Sequence, residues 1–292
     1  MVLLDGKALS DKIKDSLALE VEKLTSAGIR PPHLSAILVG EDRASQSYVR
    51  GKMKSCERIG FESSLFTYNT DVSEEELLEK IEELNTDDEI DGFIVQLPLP
   101  SHISENKVIE AISPEKDVDG FHPINIGRMA KNLDALLPAT PSGILEILKA
   151  YQLETSGKHC VVIGRSNIVG MPMSILMGRK NYPGDCTVTL VHSRTKNVKE
   201  ICQTADILIA AIGKAYYVTE DMVKQGAIVI DVGINDVDDP GSIKGYKLVG
   251  DVDFEHVASK CSYITPVPGG VGAMTIASLL QNTLIAAQKR RM

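Results

Sequence analysis

Gly164-Arg165-Ser166-Asn167-Ile168-Val169-Gly170 stands between an apolar β-type run, His159 to Ile163, and a helical stretch, Met171 to Met177, whose first turn holds Pro172. In a dinucleotide-binding fold this is the place of the pyrophosphate: glycines let the backbone approach the anion, and N–H groups at the helix N-terminus face it. The spacing departs from Gly-x-Gly-x-x-Gly, with Ser166 in place of the second glycine and one residue added. The same seven residues therefore also fit a tight βα loop that holds nothing.

The next strand discriminates further. A fold that selects NAD ends this strand with an Asp or Glu for the ribose 2′-hydroxyl, roughly 20 residues past the glycines. Here Thr187 to Val191 runs into His192-Ser193-Arg194-Thr195, without a carboxylate. A serine with Arg194, and Arg165 from the turn, suits a 2′-phosphate through charge-assisted hydrogen bonds, and so favours NADP. The plain alternative is that Arg194 only solvates a loop.

Outward from this unit, apolar periodicity alternates between helix and short strand along the chain, the pattern of an α/β protein with a largely parallel sheet. After the turn the expected elements are a helix over Asn197–Gln203, strands Ile207–Ala211 and Ala227–Val232, and an apolar helix Thr275–Ala287 placed to cross back onto the first domain. Before it come a helix from Lys7 to Ala27, a strand Leu34–Val39, a helix Asp42–Ile59 and a strand Glu62–Phe66. A third helix follows, capped by Ser73 with Glu76 three residues on, and then a strand Gly92–Gln96. Residues 113–142 carry Pro114, Pro123, Pro138 and Pro141 with no sustained period, and read as a loop-rich crossing followed by a long helix.

Composition narrows the class. The chain has 292 residues, 43% hydrophobic and 24% charged, as a soluble globular protein of two domains would. Forty acidic against thirty-one basic residues give a net charge of -9, and Lys289-Arg290-Arg291 is the longest basic block, so nucleic acid is not expected as a partner. The apolar runs fall short of the roughly 18 residues of a membrane span, and the N-terminus lacks a secretory pattern. Five scattered cysteines without a Cys-x-x-Cys pair fit a reducing cytoplasm and offer neither a disulfide framework nor a metal site.

In the first half, Tyr48 and Lys52 lie four apart and share a helix face with Ser45 and Cys56. On most helices such a pair is a solvated edge. An amine beside a phenol is also an acid/base pair if burial lowers the lysine. Short-chain dehydrogenases carry Tyr-x-x-x-Lys after their cofactor glycines, whereas here it precedes Gly164 by a whole domain. Gln96 and the pair Asp117 and Asp119 stand where elements end, on the usual rim of a binding crevice, or equally as an edge residue and a plain turn.

Taken together, Ser45-x-x-Tyr48-x-x-x-Lys52, Val95-Gln96-Leu97-Pro98-Leu99-Pro100, Lys116-Asp117-Val118-Asp119-Gly120, Pro138-Ala139-Thr140-Pro141, Gly164-Arg165-Ser166 and Pro266-Val267-Pro268-Gly269-Gly270-Val271-Gly272 closely resemble, in order and spacing, the bifunctional methylenetetrahydrofolate dehydrogenase / methenyltetrahydrofolate cyclohydrolase family. The resemblance covers nearly the whole chain. It implies two domains: a folate-binding catalytic domain over residues 1–142 completed by 273–292, and a Rossmann-type NADP-binding domain over 143–272. It implies a homodimer formed through the cofactor domain and tetrahydrofolate derivatives as substrates.

Residue by residue, the resemblance makes Lys52 the catalytic lysine, Gln96 its partner, Tyr48 a stacking and positioning group, and Asp119 the carboxylate that holds the pterin. Pro268, Gly269 and Gly270 match substrate contacts. Gly164, Arg165 and Ser166 match the cofactor turn, Ser193 the 2′-phosphate contact, and Ile234 a backbone contact near the nicotinamide. Two departures stand out: Ala139 where many relatives have Cys, and Ala273 where many have Pro. A monofunctional NAD-linked dehydrogenase on the same fold is the alternative, disfavoured by Lys52 and by the missing acid after Val191.

Overall fold

The computed structural model describes residues 1–242 and 245–291. In chain order its elements are β1 (Val2–Leu3), α1 (Gly6–Ser26), β2 (His33–Val39), α2 (Arg43–Ile59), β3 (Glu62–Tyr68), α3 (Glu74–Thr86), β4 (Gly92–Val95), α4 (Glu105–Ala111), α5 (Pro123–Ala130) and α6 (Ala139–Ala150). Then follow β5 (His159–Ile163), α7 (Gly170–Gly178), β6 (Thr187–Val191), α8 (Val198–Cys202), β7 (Ile207–Ala210), β8 (Ile228–Asp231), β9 (Asn235–Asp238), β10 (Tyr246–Val249), α9 (Phe254–Val257), β11 (Tyr263–Ile264) and α10 (Val271–Arg290). They form two compact units, each assembled from separate stretches: Asp11–Ala139 with Ile276–Met292, and Met1–Ser10 with Thr140–Thr275.

The first of these units is built on a parallel sheet ordered β3-β2-β4. Side chains alternate across a strand, and both faces of β2 are covered, so apolar residues fill both, broken after Leu34 only by the buried Ser35. Leu34, Ala36 and Leu38 pack with Val49, Cys56 and Ile59 of α2, Leu17 and Val21 of α1, and Leu279, Leu280 and Leu284 of α10. Ile37 and Val39 turn to the opposite side, with Leu77, Ile81 and Leu84 of α3 and Val108 of α4. The last helix does return to this unit, and it runs longer at both ends than Thr275–Ala287.

Local signals set the helix ends. Asp42 caps α2 by accepting from the Ser45 N–H at 2.7 Å, and Gly60, at φ 80°, ends it. Ser73 accepts from the Glu76 N–H at 3.1 Å, as its spacing predicts. The segment 113–142 is more ordered than its prolines suggest. Pro123 occupies the first turn of α5, capped by His122, and α6 begins at Ala139, which places Pro141 inside a first turn where proline lacks no needed donor.

The other unit carries a six-stranded sheet, β1-β11-β8-β7-β5-β6, with every pairing parallel. Its apolar layer includes Val161, Ile163, Leu208, Ala210, Val229 and Ile264. The strand order turns back between β5 and β7, the position where sheets of this kind open a crevice at their carboxyl ends. The N-terminus corrects the expected boundary of 1–142. The Val2 N–H donates to Ser262 O at 2.7 Å and the Leu4 N–H to Ile264 O at 2.8 Å, so the first ten residues belong with this sheet. No helix among the described residues is long and apolar enough to cross a membrane.

Candidate active site

The α2 face holds Lys52 almost wholly buried, at 3% exposure. Its Nζ donates to Gln96 Oε1 at 3.2 Å and lies 4.8 Å from the centroid of the Tyr48 ring. Gln96 follows directly on β4; its backbone N–H donates to Ile37 O at 2.9 Å and its side-chain amide to Leu97 O at 2.7 Å. Both ends of this side chain are thereby fixed. Burial holds the Lys52 amine below the ordinary lysine range, with the Asp119 carboxylate acting in the opposite direction. Burial likewise raises Asp119, against the pull of Lys52. Lys52, Gln96, Tyr48 and Asp119 are thus brought together, and the pair on α2 is not a solvated edge.

The two aspartates of Asp117-Val118-Asp119 have different work. Asp117 is buried and accepts from the Gly120, Phe121 and His122 N–H groups at 3.1, 3.2 and 2.8 Å and from Asn125 Nδ2 at 2.9 Å. It shapes the loop that Asp119 stands on. Asn282, on α10, secures that loop by donating to Val118 O and Leu137 O, both at 2.8 Å. Sequence reasoning passed over Asn282, because one asparagine on an apolar helix has no local pattern; its burial is the signal. Lys116, also buried, is satisfied by Leu84 O at 2.7 Å and Asp87 O at 2.6 Å, and desolvation lowers it to about 8.

In the other unit, β5 delivers Gly164 at φ 108°, where an added Cβ would lie 2.0 Å from Ala211 O, and one on Gly170 would lie 2.0 Å from Gly164 O. Only glycines allow this turn to fold against the loop after β7. Ser166 uses its hydroxyl within the turn, accepting from the Val169 and Gly170 N–H groups at 3.2 and 3.4 Å, and its carbonyl accepts from Met171 at 3.0 Å. Ser166 therefore braces the turn where a glycine would only have left space. Arg165, Ser193 and Arg194 are exposed at the carboxyl ends of β5 and β6. The second of these turns is closed by His192, which accepts from the Arg194 N–H through Nδ1 at 3.2 Å.

The cradle at Gly164 and Gly170, with two exposed guanidinium groups at the ends of neighbouring strands, fits a phosphorylated dinucleotide. Ile234 is 53% exposed just beyond β8. Pro268 is exposed and Gly270 buried at the start of α10, and Gly269 O accepts from the Lys7 N–H at 2.8 Å. Asp231 and Asp251 were not singled out in the sequence. Asp231 is pushed up to about 7 by burial, and Asp251 is fully buried; the available signal was the Asp-x-Gly and Gly-Asp pairing of Asp231-Val232-Gly233 with Gly250-Asp251.

Residues 4–119 match the family model of the tetrahydrofolate dehydrogenase/cyclohydrolase catalytic domain, and residues 138–291 that of the corresponding NAD(P)-binding domain. Over 289 residues the chain is 61% identical to the bifunctional protein FolD of Bacteroides thetaiotaomicron, with 99% of each covered. The bifunctional FolD of Campylobacter jejuni is 48% identical, with a TM-score of 0.93 and 99% of both chains covered. The Trypanosoma brucei FolD, solved with NADP cofactor and an inhibitor, is 38% identical, with a TM-score of 0.94 over 99% of this chain and 98% of that one.

Proposed function

The chain belongs to the tetrahydrofolate dehydrogenase/cyclohydrolase family, and from that premise we propose how its residues divide the family's two reactions. It is a bifunctional enzyme of one-carbon metabolism: 5,10-methylenetetrahydrofolate is oxidised to 5,10-methenyltetrahydrofolate with NADP, and the product is hydrolysed to 10-formyltetrahydrofolate. NADP, when bound, supplies the acceptor for the hydride.

In the oxidation, the nitrogen lone pairs beside the methylene carbon stabilise the cation left behind, so the protein's share is positioning and no strong base is needed. Hydrolysis is different. Water adds to the methenyl carbon, the ring opens and one proton is released, which requires a group that can take and return protons. We assign that group to Lys52, with Gln96 orienting the amine and Tyr48 completing the shelf. The carrying observation is the buried Lys52 amine held 3.2 Å from Gln96 Oε1. Asp119 is assigned to the pterin, whose amino and ring N–H groups a carboxylate can accept, and Pro268, Gly269 and Gly270 to substrate contact. Gly164, Arg165, Ser166, Ser193, Arg194 and Ile234 are assigned to NADP, all of them in the unit that contains Thr140–Thr275.

Two assays test the reading. NADPH formation from methylenetetrahydrofolate should be observed, and so should loss of methenyltetrahydrofolate without any dinucleotide. Oxidation without hydrolysis would restore the monofunctional alternative. We further propose that the enzyme works in the cytoplasm as a homodimer, supplying one-carbon units to purine and amino-acid biosynthesis, with neither nucleic acid nor membrane as partner. The net charge of -9 supports the exclusion of nucleic acid.

A further inference from the structure

Two buried aspartates at the carboxyl end of the six-stranded sheet interlock. Asp231 closes β8; its Oδ1 accepts from the Gly233 and Asp251 N–H groups at 3.0 and 2.9 Å, and its Oδ2 from the Val252 N–H at 2.9 Å. Asp251 follows β10; its Oδ2 accepts from the Ile212 and Gly213 N–H groups at 2.7 and 2.9 Å, and its Oδ1 from the Lys214 N–H at 2.8 Å and Asn235 Nδ2 at 3.0 Å. The arrangement is reciprocal. A Cβ on Gly250 would lie 1.7 Å from Asp231 Oδ2, and one on Gly233 would lie 2.3 Å from Asp251 Oδ1. Each carboxylate fills the space that the glycine beside its partner leaves open.

Burying carboxylates is expensive, and an apolar pair would serve a core better. What these two hold is not core but loop: seven hydrogen bonds end on backbone or amide N–H groups of the segments after β7, β8 and β10. The segment after β7 is the one whose Ala211 O confronts Gly164, so Asp251 grips the wall against which the glycine turn is folded. Carboxyl ends of strands beside a topological switch point are where open parallel sheets take their ligands. Preorganised walls bind more tightly because less ordering remains to be done on binding.

We infer that Asp251 is a positioning residue for dinucleotide binding, fixing the Ile212–Lys214 and Gly233–Asn235 loops beside the glycine turn, while Asp231 fixes the backbone of Asp251 in turn. The inference rests on the reading that this unit takes NADP. Asp251→Asn keeps the shape but replaces one acceptor oxygen by an NH2 group that faces donors. Asn235→Ala removes the amide that donates to Asp251 Oδ1 at 3.0 Å and to Val249 O at 3.5 Å, and leaves the Asp251 side chain in place.

The test is calorimetric titration of each full-length protein with NADP in the absence of folate, paired with hydrolysis of methenyltetrahydrofolate in the absence of dinucleotide. Asp251→Asn should raise the Kd for NADP at least tenfold and Asn235→Ala two- to fivefold, with hydrolysis within twofold of wild type in both. In the dehydrogenase assay Asp251→Asn should raise the KM for NADP more than it lowers kcat. Unchanged NADP affinity in Asn235→Ala would overturn the inference even if Asp251→Asn fails to fold, and so would equal loss of binding and hydrolysis in Asp251→Asn. Wild-type protein that bound no NADP would instead overturn the functional reading beneath it.

Discussion

Lys52 Nζ and Gln96 Oε1 meet at 3.2 Å, joining a helix face to the residue that follows a strand 44 positions later in the chain. Lys52→Met keeps the apolar stem and removes the titratable group, so the packing of α2 should survive. General acid/base groups contribute about 100- to 10,000-fold, and hydrolysis of methenyltetrahydrofolate should fall by at least about 100-fold. NADPH formation, followed on the same sample, should fall less. Hydrolysis at the wild-type rate would show that the amine has no part in the reaction.

Asp119→Asn should weaken use of folate and leave the Kd for NADP unchanged. It also withdraws the negative charge that holds the Lys52 amine up, so the amine falls further below the ordinary lysine range. Where neutral Lys52 acts as the base, the hydrolase rate rises with pH through that pKa. The rise should therefore move to lower pH in Asp119→Asn. A shift to higher pH would contradict the coupling.

NADP should be preferred over NAD. No carboxylate ends β6, while Arg165, Ser193 and Arg194, the residues proposed for the 2′-phosphate, are exposed. Hydrogen bonds to charged groups contribute about 1.5 to 3 kcal/mol each, so the ratio of specificity constants should be tenfold or more. Arg194→Gln should cut that ratio while changing use of NAD little. Equal constants for the two dinucleotides in the wild type would refute the assignment.

Lys116 gives the fold a pH dependence of its own. Its amine, near 8 in the folded protein, would titrate at about 10.4 once unfolded, so the folded state favours the neutral form. Below pH 8 the cost of burying the charge is present in full, and it disappears as pH rises toward 10.4. Stability should therefore increase over that interval by on the order of 3 kcal/mol at most. Urea unfolding at pH 7 and pH 9.5, compared with Lys116→Met, isolates this slope; parallel pH dependence in the two proteins would remove Lys116 as its source.

Much of this architecture was legible from local signals. The Asp42 and Ser73 caps, the closing Gly60, the largely apolar β2 and β5, and the glycines at 164 and 170 each carry their cause within a few residues. Where the cause lay far along the chain, reading failed. Two-residue strands β1 and β11 exist only because they pair with each other and with β8. The β9–β10 hairpin pairs Asn-Asp-Val-Asp with a largely exposed strand, so no apolar alternation announced it. At the site, Lys52, Gln96 and Asp119 were visible as chemistry, whereas Asn282 and the reciprocal aspartates act through backbone carbonyls and N–H groups that no side-chain pattern records.

Both units are closed by residues distant in the chain: one needs Met1–Ser10 and Thr140–Thr275, the other needs Ile276–Met292. Domains usually fold in order as the chain leaves the ribosome, but that order is denied here. The sheet of β2, β3 and β4 emerges early and must wait for Leu279, Leu280 and Leu284 to cover one face, and for Asn282 to reach the Asp119 loop. The unit that holds Lys52, Gln96 and Asp119 is thus incomplete until α10 has been made. A chain cut short within α10 would retain every residue assigned to catalysis and still lack the helix that completes their unit.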